Sequence, residues 1–362
     1  MHGSESARPP SAGRVEPVSG RARLLLGALL LAGVAILAYL PALKGGFIWD
    51  DNRFLTNNTV LKASDGLRRI WFTGESPDYW PVSSTSVWLE WRLWGMQAAG
   101  YHATNLLLHI GEALLLWMVL RRLEVPGAYL AAMLFALHPV NVESVAWITQ
   151  RKNLTAMLFF LVSILCFLKT NPGAPPGSSR PAGLGRWYAL SLLAFALAML
   201  GKGSVAPLPI VLLGIVWWRR RLEARDWLEI APFFAVALIF TCVNLRLQSH
   251  EYIHFRTAGF VERTLTAGAM VWFYAGKALW PARLSFVYPQ WSIHPGSFSS
   301  WLPLLAAAGV TIALFLGGGR GASPWRRACR ICWMCSLIAR PLPEDWRSTS
   351  PKEQSIPGVS RR

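Results

Sequence analysis

Residues 21–51, RARLLLGALLLAGVAILAYLPALKGGFIWDD, decide the fold class. The uncharged run 24–40 reads as a membrane-spanning helix. Arg14, Arg21 and Arg23 precede it, which places the N-terminus inside. No small-residue cleavage site outweighs the continuing apolar run, so the helix is read as uncleaved. Past it the chain bends at Gly45 and Gly46 and presents two adjacent acids, Asp50 and Asp51, beside Trp49.

The rest of the chain has the composition of a protein dissolved in lipid. Of 362 residues, 53% are hydrophobic and only 15% charged, against about 25% in soluble domains. Mean hydropathy is +0.33, and 19 Trp and 17 Phe are present, which excludes disorder. The five Cys, with Cys166 and Cys242 isolated inside apolar runs, do not make a secreted disulfide framework. A net charge of +17 would suit nucleic acid in a soluble protein. Here Arg121, Arg122 and the triplet Arg219, Arg220 and Arg221 stand directly beside apolar runs, as cytoplasmic anchors do. With no zinc-finger spacing, P-loop or dinucleotide fingerprint, nucleic acid is not an expected partner.

Further apolar runs lie at 104–120, 127–137, 154–168, 187–199, 205–218, 227–243 and 301–316. The expected fold is an all-α polytopic membrane protein of about eight transmembrane helices within 24–316. A cytoplasmic disordered tail precedes it at 1–23. Several runs are short for a slab of about 30 Å. The charge rule leaves three segments outside: a long first loop, 42–103, and two short ones, 139–153 and 200–204. Within the long loop, 87–96 (VWLEWRLWGM) suits either a helix in the headgroup zone anchored by Trp88, Trp91 and Trp94, or a packed extramembrane subdomain. Whether 265–280 spans is left open. From 317 to 362 apolar periodicity stops and a basic tail follows, which reads as an out-of-frame or truncated end. Its Cys329, Cys332 and Cys335 lack a fourth ligand for a metal.

Carboxylates are scarce, so those on the outer side stand out. Asp50 and Asp51 point in different directions as neighbours, and one of them suits a general base taking a proton from a hydroxyl. The segment HPVNVESVAWITQRKN (138–153) adds His138, Glu143, Gln150, Arg151 and Lys152, and its outer cations break the charge rule. Arg151 offers a bidentate fork and Lys152 a point charge to the phosphate of a lipid carrier. Lys202, between Gly201 and Gly203, is another outer cation. His102 at the outer mouth of its helix is a candidate cavity residue, with His109 further along. Asn57 and Asn153 each start an N-x-T sequon, the second better read as a helix cap. No metal-ligand spacing is present.

FIWDDNRF, YWPVSSTSVWLEWRLWG, GYHATNLLLHIGEALLLWMVLRRL, ALHPVNVESVAWITQRKN, LGKGSVAPLPIVLL and GKALWPARLSFVYP occur in that order. Together they resemble the transmembrane half of bacterial tetratricopeptide-repeat membrane proteins. They also resemble the transmembrane O-mannosyltransferases acting on cadherins and, more distantly, the protein O-mannosyltransferases. The resemblance covers about 40–316. It implies a GT-C glycosyltransferase fold and inverting transfer of a mannose-like sugar from a polyprenyl- or dolichyl-phosphate donor to a protein hydroxyl, outside or in the lumen. It places the acidic motif on Asp50 and Asp51, Glu143 in an HPVxVESVAW motif, and the donor phosphate near Arg151, Lys152 and Lys202. Expected partners are the bilayer, the lipid-linked sugar and a protein acceptor. No further cofactor is implied, and a divalent cation beside the acids is left open. The expected location is the bacterial inner membrane, or the endoplasmic reticulum in a eukaryote.

Overall fold

The computed structural model describes residues 20–170, 184–247 and 259–317, except 283, 286, 287, 289, 290 and 292. The expected N-terminal tail, most of the 169–186 loop and the basic tail with its cysteines lie outside the described residues. The chain forms two compact units, 1–304 and 305–362.

The described residues form helices and no strands. In order these are α1 (Gly20–Tyr39), α2 (Thr59–Lys62), α3 (Gly66–Phe72), α4 (Pro81–Trp94), α5 (Ala98–Arg122), α6 (Ala128–Leu137), α7 (Val142–Ala146) and α8 (Arg151–Lys169). There follow α9 (Leu184–Gly201), α10 (Leu208–Arg219), α11 (Ala224–Leu247), α12 (Phe260–Leu279) and α13 (Leu302–Gly317). The protein is an all-α polytopic membrane protein. Among the described residues four helical stretches are long and apolar enough to cross a bilayer: Gly20–Lys44, Ala98–Arg122, Ile148–Lys169 and Ala224–Leu247. A fifth arises if Ala128–Leu137 and Pro139–Ala146, bent by 48°, count as one broken span. Length and composition therefore do not reach the expected eight. Gly185–Gly201, Gly203–Arg219 and Phe298–Ala313 are apolar but short, reaching about 25 Å at about 1.5 Å per residue. α12 is long enough but carries Glu262, Arg263 and Lys277, and it is not among the helices apolar enough to span.

Two apolar cores hold the bundle. One joins α1, α5 and α6 around Leu31, Ala113 and Ala132. The other joins α8, α9, α10 and α11 around Phe195, Leu212 and Phe233. α5 and α8 share one direction, since Arg151 at the start of α8 meets Tyr101 and Asn105 at the start of α5. At the far ends Leu168 and Leu123 share a pocket wall with Arg122 and Arg219. The arginine-rich ends thus lie opposite the end where α5 and α8 begin.

A third core decides between the two readings of the first long loop. Leu55, Val60, Leu61, Ile70, Tyr101 and Ile148 are buried together, with Trp88 and Trp91 packed against them, so the loop is a folded subdomain. α4 begins six residues before the expected 87, at Pro81. Its first turn is polar, but proline's fixed φ suits the first helical position. The break after α6 follows from Pro139, which has no N–H for the Phe135 carbonyl. Asn141 Nδ2 donates to that carbonyl at 2.8 Å, and His109 Nε2 donates to the Ala136 carbonyl at 3.0 Å. The other nitrogen of His109 lies 3.2 Å from Glu112 Oε2, both side chains fully buried. His109 is thus a structural partner of the α6 end.

Candidate active site

Three stretches converge where α5 and α8 begin: 45–58, 76–87 and the turn 147–150. They enclose a pocket whose wall includes Phe54, Asp78, Trp80, Thr149 and Lys152. The turn 201–203 closes in beside them. Gly201 is needed there, because a Cβ would come within 3.2 Å of the Ala156 backbone, while its carbonyl accepts Ser83 Oγ at 3.1 Å. This close approach delivers Lys202, whose Nζ donates to Asn153 Oδ1.

The two adjacent acids have different fates. Asp51 is fully buried. Its Oδ2 accepts the Ile48 N–H at 2.9 Å, and its Oδ1 accepts the Thr149 N–H at 2.8 Å together with the Thr149 hydroxyl. It pins the first loop to the turn before α8. Its lone pairs are occupied, unlike those of a free base. Trp49, just before the pair, holds a left-handed φ of 43°, a strained conformation for a bulky side chain, and its ring lies 6.2 Å from Trp147. Asp50 is half-buried and is a charged neighbour of Asp78 and Lys152.

Arg151, expected on the donor phosphate, is instead enclosed, with 1% of its surface exposed. Nη1 pairs with Glu90 Oε1 at 2.8 Å and also donates to Ser86 Oγ at 3.3 Å; Nε donates to Asn105 Oδ1 and Nη2 to the Tyr101 carbonyl at 2.9 Å. A guanidinium in low dielectric needs such a full set of acceptors. The next residue, Lys152, turns the other way. Its Nζ sits 4.2 Å from the Trp80 ring centre and 5.3 Å from Phe54, rings that stack on each other at 5.9 Å. Its charged neighbours are Lys202, Asp78, Asp50 and Glu143. Glu143 is exposed and accepts from Gln150 Nε2 at 3.3 Å.

Neither expected cavity histidine lines the pocket. His102 is buried under the first loop, where a Cβ on Gly45 would come within 3.0 Å of Nε2. His138 is half-buried; its Nδ1 accepts the Val140 N–H at 3.3 Å, and its Nε2 donates to the Ala278 carbonyl at 2.9 Å, near the end of α12. Among the described residues no three His, Cys, Asp or Glu side chains are grouped to hold a metal ion.

Asp78, Trp80 and Phe54 were not singled out from the sequence. Asp78 lies in the same outer segment as Asp50 and Asp51, in a chain where acids are scarce, but it has no adjacent acid. Burial holds its carboxyl above the usual carboxylate range. Lys152, Arg53 and Lys202 pull it back, and Asp50 pushes it further up. Burial likewise pushes the Lys202 ammonium below the usual lysine range, against the pull of Glu143 and Asp78. Asp78 and Lys152 thus line one pocket, with Asp50, Glu143 and Lys202 as charged neighbours, an arrangement able to take a proton and neutralise an anion together.

Comparison with known proteins finds the O-mannosyltransferase part of the likeness that the motifs suggest. The chain is 32% identical over 165 residues to Protein O-mannosyl-transferase F38B6.6 of Caenorhabditis elegans, covering 41% of this chain and 24% of that protein. It is 30% identical over 200 residues to human Protein O-mannosyl-transferase TMTC4, covering 48% and 27%. With human Protein O-mannosyl-transferase TMTC1 it shares 30% over 190 residues, covering 48% and 22%. The chain therefore spans about a quarter of the length of these relatives. No family model and no solved structure matches it.

Proposed function

We propose that this chain carries the membrane catalytic half of a protein glycosyltransferase. It moves a mannose-like sugar, with inversion, from a polyprenyl- or dolichyl-phosphate donor to a protein hydroxyl. The observation that carries this is the pocket at the start of α5 and α8, lined by Asp78 and Lys152, with Asp50 and Lys202 as their charged neighbours. In-line displacement at a sugar carbon needs a base for the acceptor, a positioned donor and charge relief for the leaving phosphate. Lys152 and Lys202 supply the charge relief, and a first-loop carboxylate supplies the base. Arg151 and Asp51 hold the frame from which these groups project. The arginine-rich ends of α5 and α10 lie at the opposite end of the bundle, so by the charge rule the pocket opens outward, to the periplasm or the lumen.

The test is transfer of radiolabelled mannose from dolichyl-phosphate mannose to a Ser/Thr-rich peptide by the purified chain in proteoliposomes. Turnover that collapses when Lys152 and Lys202 are both replaced by Ala is the expected result. Donor binding without turnover, over a range of acceptors, would sink the reading and leave a lipid-carrier-binding membrane protein.

A further inference from the structure

We infer that the far end of the bundle, opposite the candidate active site, holds a binding site for the phosphodiester headgroup of an anionic phospholipid. A concavity of about 460 Å³ opens there between the ends of α5, α8 and α10, within the size range of small-molecule sites. Its wall combines Arg122, Glu124 and Arg219 with Leu123, Leu168 and Trp218. Arg219 is half-buried, and its Nη2 donates to the Arg122 carbonyl at 2.9 Å, which fixes the end of α10 to the end of α5. The next residue, Arg220, is satisfied within the chain: its two terminal nitrogens donate to Asp226 at 2.8 and 2.6 Å. Arg122 and Arg219 have no such pairing among the described residues, although Glu124 is a charged neighbour of Arg219.

An arginine that only anchors a helix at the membrane surface snorkels into water by itself. Arg121 fits that description: it is exposed, lies outside the pocket wall and leans over the Trp117 ring at 5.6 Å. Arg122 and Arg219 instead reach one opening from two helices, where their charges repel. An anion between them removes the repulsion, and a guanidinium can meet two phosphate oxygens at once. Glu124 limits how much negative charge the opening accepts. It holds a left-handed φ of 56° just past α5, where glycine is the usual occupant, so its carboxylate stands in the wall at a conformational cost. Two cations and one acid leave a single net positive charge, the complement of a monoanionic phosphodiester rather than of a phosphate dianion. Leu123, Leu168 and Trp218 suit the glycerol and first chain carbons, and tryptophan sits readily at headgroup level. Basic pockets between membrane helices hold lipid headgroups in this way. A lipid seated here touches α5 from one apolar core and α8 and α10 from the other, and so clamps the two cores together.

The experiment is thermal unfolding of the full chain in detergent, titrated separately with phosphatidylglycerol, phosphatidylcholine and inorganic phosphate. Phosphatidylglycerol should raise the melting temperature and the other two should not, since a ligand that binds only the folded state stabilises it. Arg122→Gln and Arg219→Gln should each raise the phosphatidylglycerol concentration needed for half the effect by about tenfold, the loss of one charge-assisted contact. Arg121→Gln removes the same charge outside the pocket and should change that concentration by less than about threefold. Arg219→Gln also breaks the tie to α5, so Arg122→Gln carries the decision if that variant fails to fold. An equal response to all three replacements means general surface charge and overturns the site, as does a phosphatidylglycerol effect that Arg122→Gln leaves untouched. Inorganic phosphate as effective as phosphatidylglycerol overturns the lipid assignment, and no response to phosphatidylglycerol overturns the whole inference. Sugar transfer plays no part in the readout, so this site and the transfer reading stand or fall separately.

Discussion

Asp51 accepts the backbone N–H of Thr149 at 2.8 Å across 98 residues of sequence, and so ties the first loop to the turn that launches α8. Thr149→Val keeps that N–H but removes the hydroxyl that shares Oδ1, at an expected cost of about 1 kcal/mol. Asp51→Asn costs more, about 1–3 kcal/mol, because an amide cannot accept from Ile48 and Thr149 on both of its heavy atoms. Thermal unfolding in detergent checks both. An Asp51→Asn protein as stable as wild type, yet inactive, would return Asp51 to the chemistry.

The buried pair of Arg151 and Glu90 makes a second prediction. Glu90→Ala or Arg151→Ala strands a charge that the bundle has already dehydrated, and either should cost about 3–5 kcal/mol. Arg151→Lys is no rescue, since one ammonium cannot reach Glu90, Asn105 and the Tyr101 carbonyl at once. The double replacement Glu90→Gln with Arg151→Met should cost less than the sum of the two single losses. A double-mutant cycle in detergent measures the coupling.

Asp78→Asn should be at least as stable as wild type at neutral pH. The folded pKa of Asp78 is raised above its unfolded value, so the stability it contributes is fully present below the unfolded pKa. That contribution is lost as pH rises through the raised folded value. At pH 7 the wild type therefore carries a dehydrated charge that the amide lacks, and the gap should close as pH falls into the carboxylate range. Thermal midpoints across that range provide the measurement; a destabilised Asp78→Asn at pH 7 would mark Asp78 as structural.

Lys202→Ala and Lys152→Ala should each lower kcat/KM by about a hundredfold, as loss of one preorganised cation does. Lys202→Ala also frees Asn153, so Asn153→Ala serves as its control and should show only a small part of that loss. Because burial lowers the Lys202 pKa, activity should fall as pH rises through a value below the ordinary lysine range. The alkaline limb of the wild-type profile, and its disappearance in Lys202→Ala, checks this.

Sidedness can be read from the two sequons. Asn57 is exposed in the turn after residues 52–56, whereas Asn153 donates its amide to Ser144 at 3.1 Å and to Gln150 Oε1 at 2.9 Å. Expression with microsomes should glycosylate Asn57 and spare Asn153. Failure of Asn57 to be modified, together with a cytoplasmic reading from a reporter fused after Asn52, would invert the topology.

Apolar runs announce themselves whatever their partners, so the helical bundle was legible, but among the described residues only four or five of the eight expected spans are long and apolar enough to cross a bilayer. Tertiary pairing was not legible. Arg151 reads in one dimension as an unbalanced cation near lipid, because its counter-charge, Glu90, lies 61 residues earlier in a segment whose tryptophans dominate its pattern. The first turn of α4 was missed because its hydroxyls look like a loop; in the fold Thr85 Oγ1 donates to the Pro81 carbonyl at 2.6 Å, and Ser83 meets Thr155. Asp51 and Asp50 were found together because scarcity flags both, but only three dimensions show which of them is already bonded. Asp78 has no twin beside it to draw the eye.

Lys152 is the second residue of α8, behind Arg151 and with no acid in the first turn. Both cations therefore sit at the positive pole of a helix dipole, and Lys152 faces Lys202 as well. Arg151 is repaid internally by Glu90, but Lys152 has only ring faces and distant carboxylates to lean on. This end of the bundle behaves as a loaded spring of like charge, and an arriving phosphate unloads it. Polyprenyl phosphate should then act as a structural ligand, raising the melting temperature more in wild type than in Lys152→Ala.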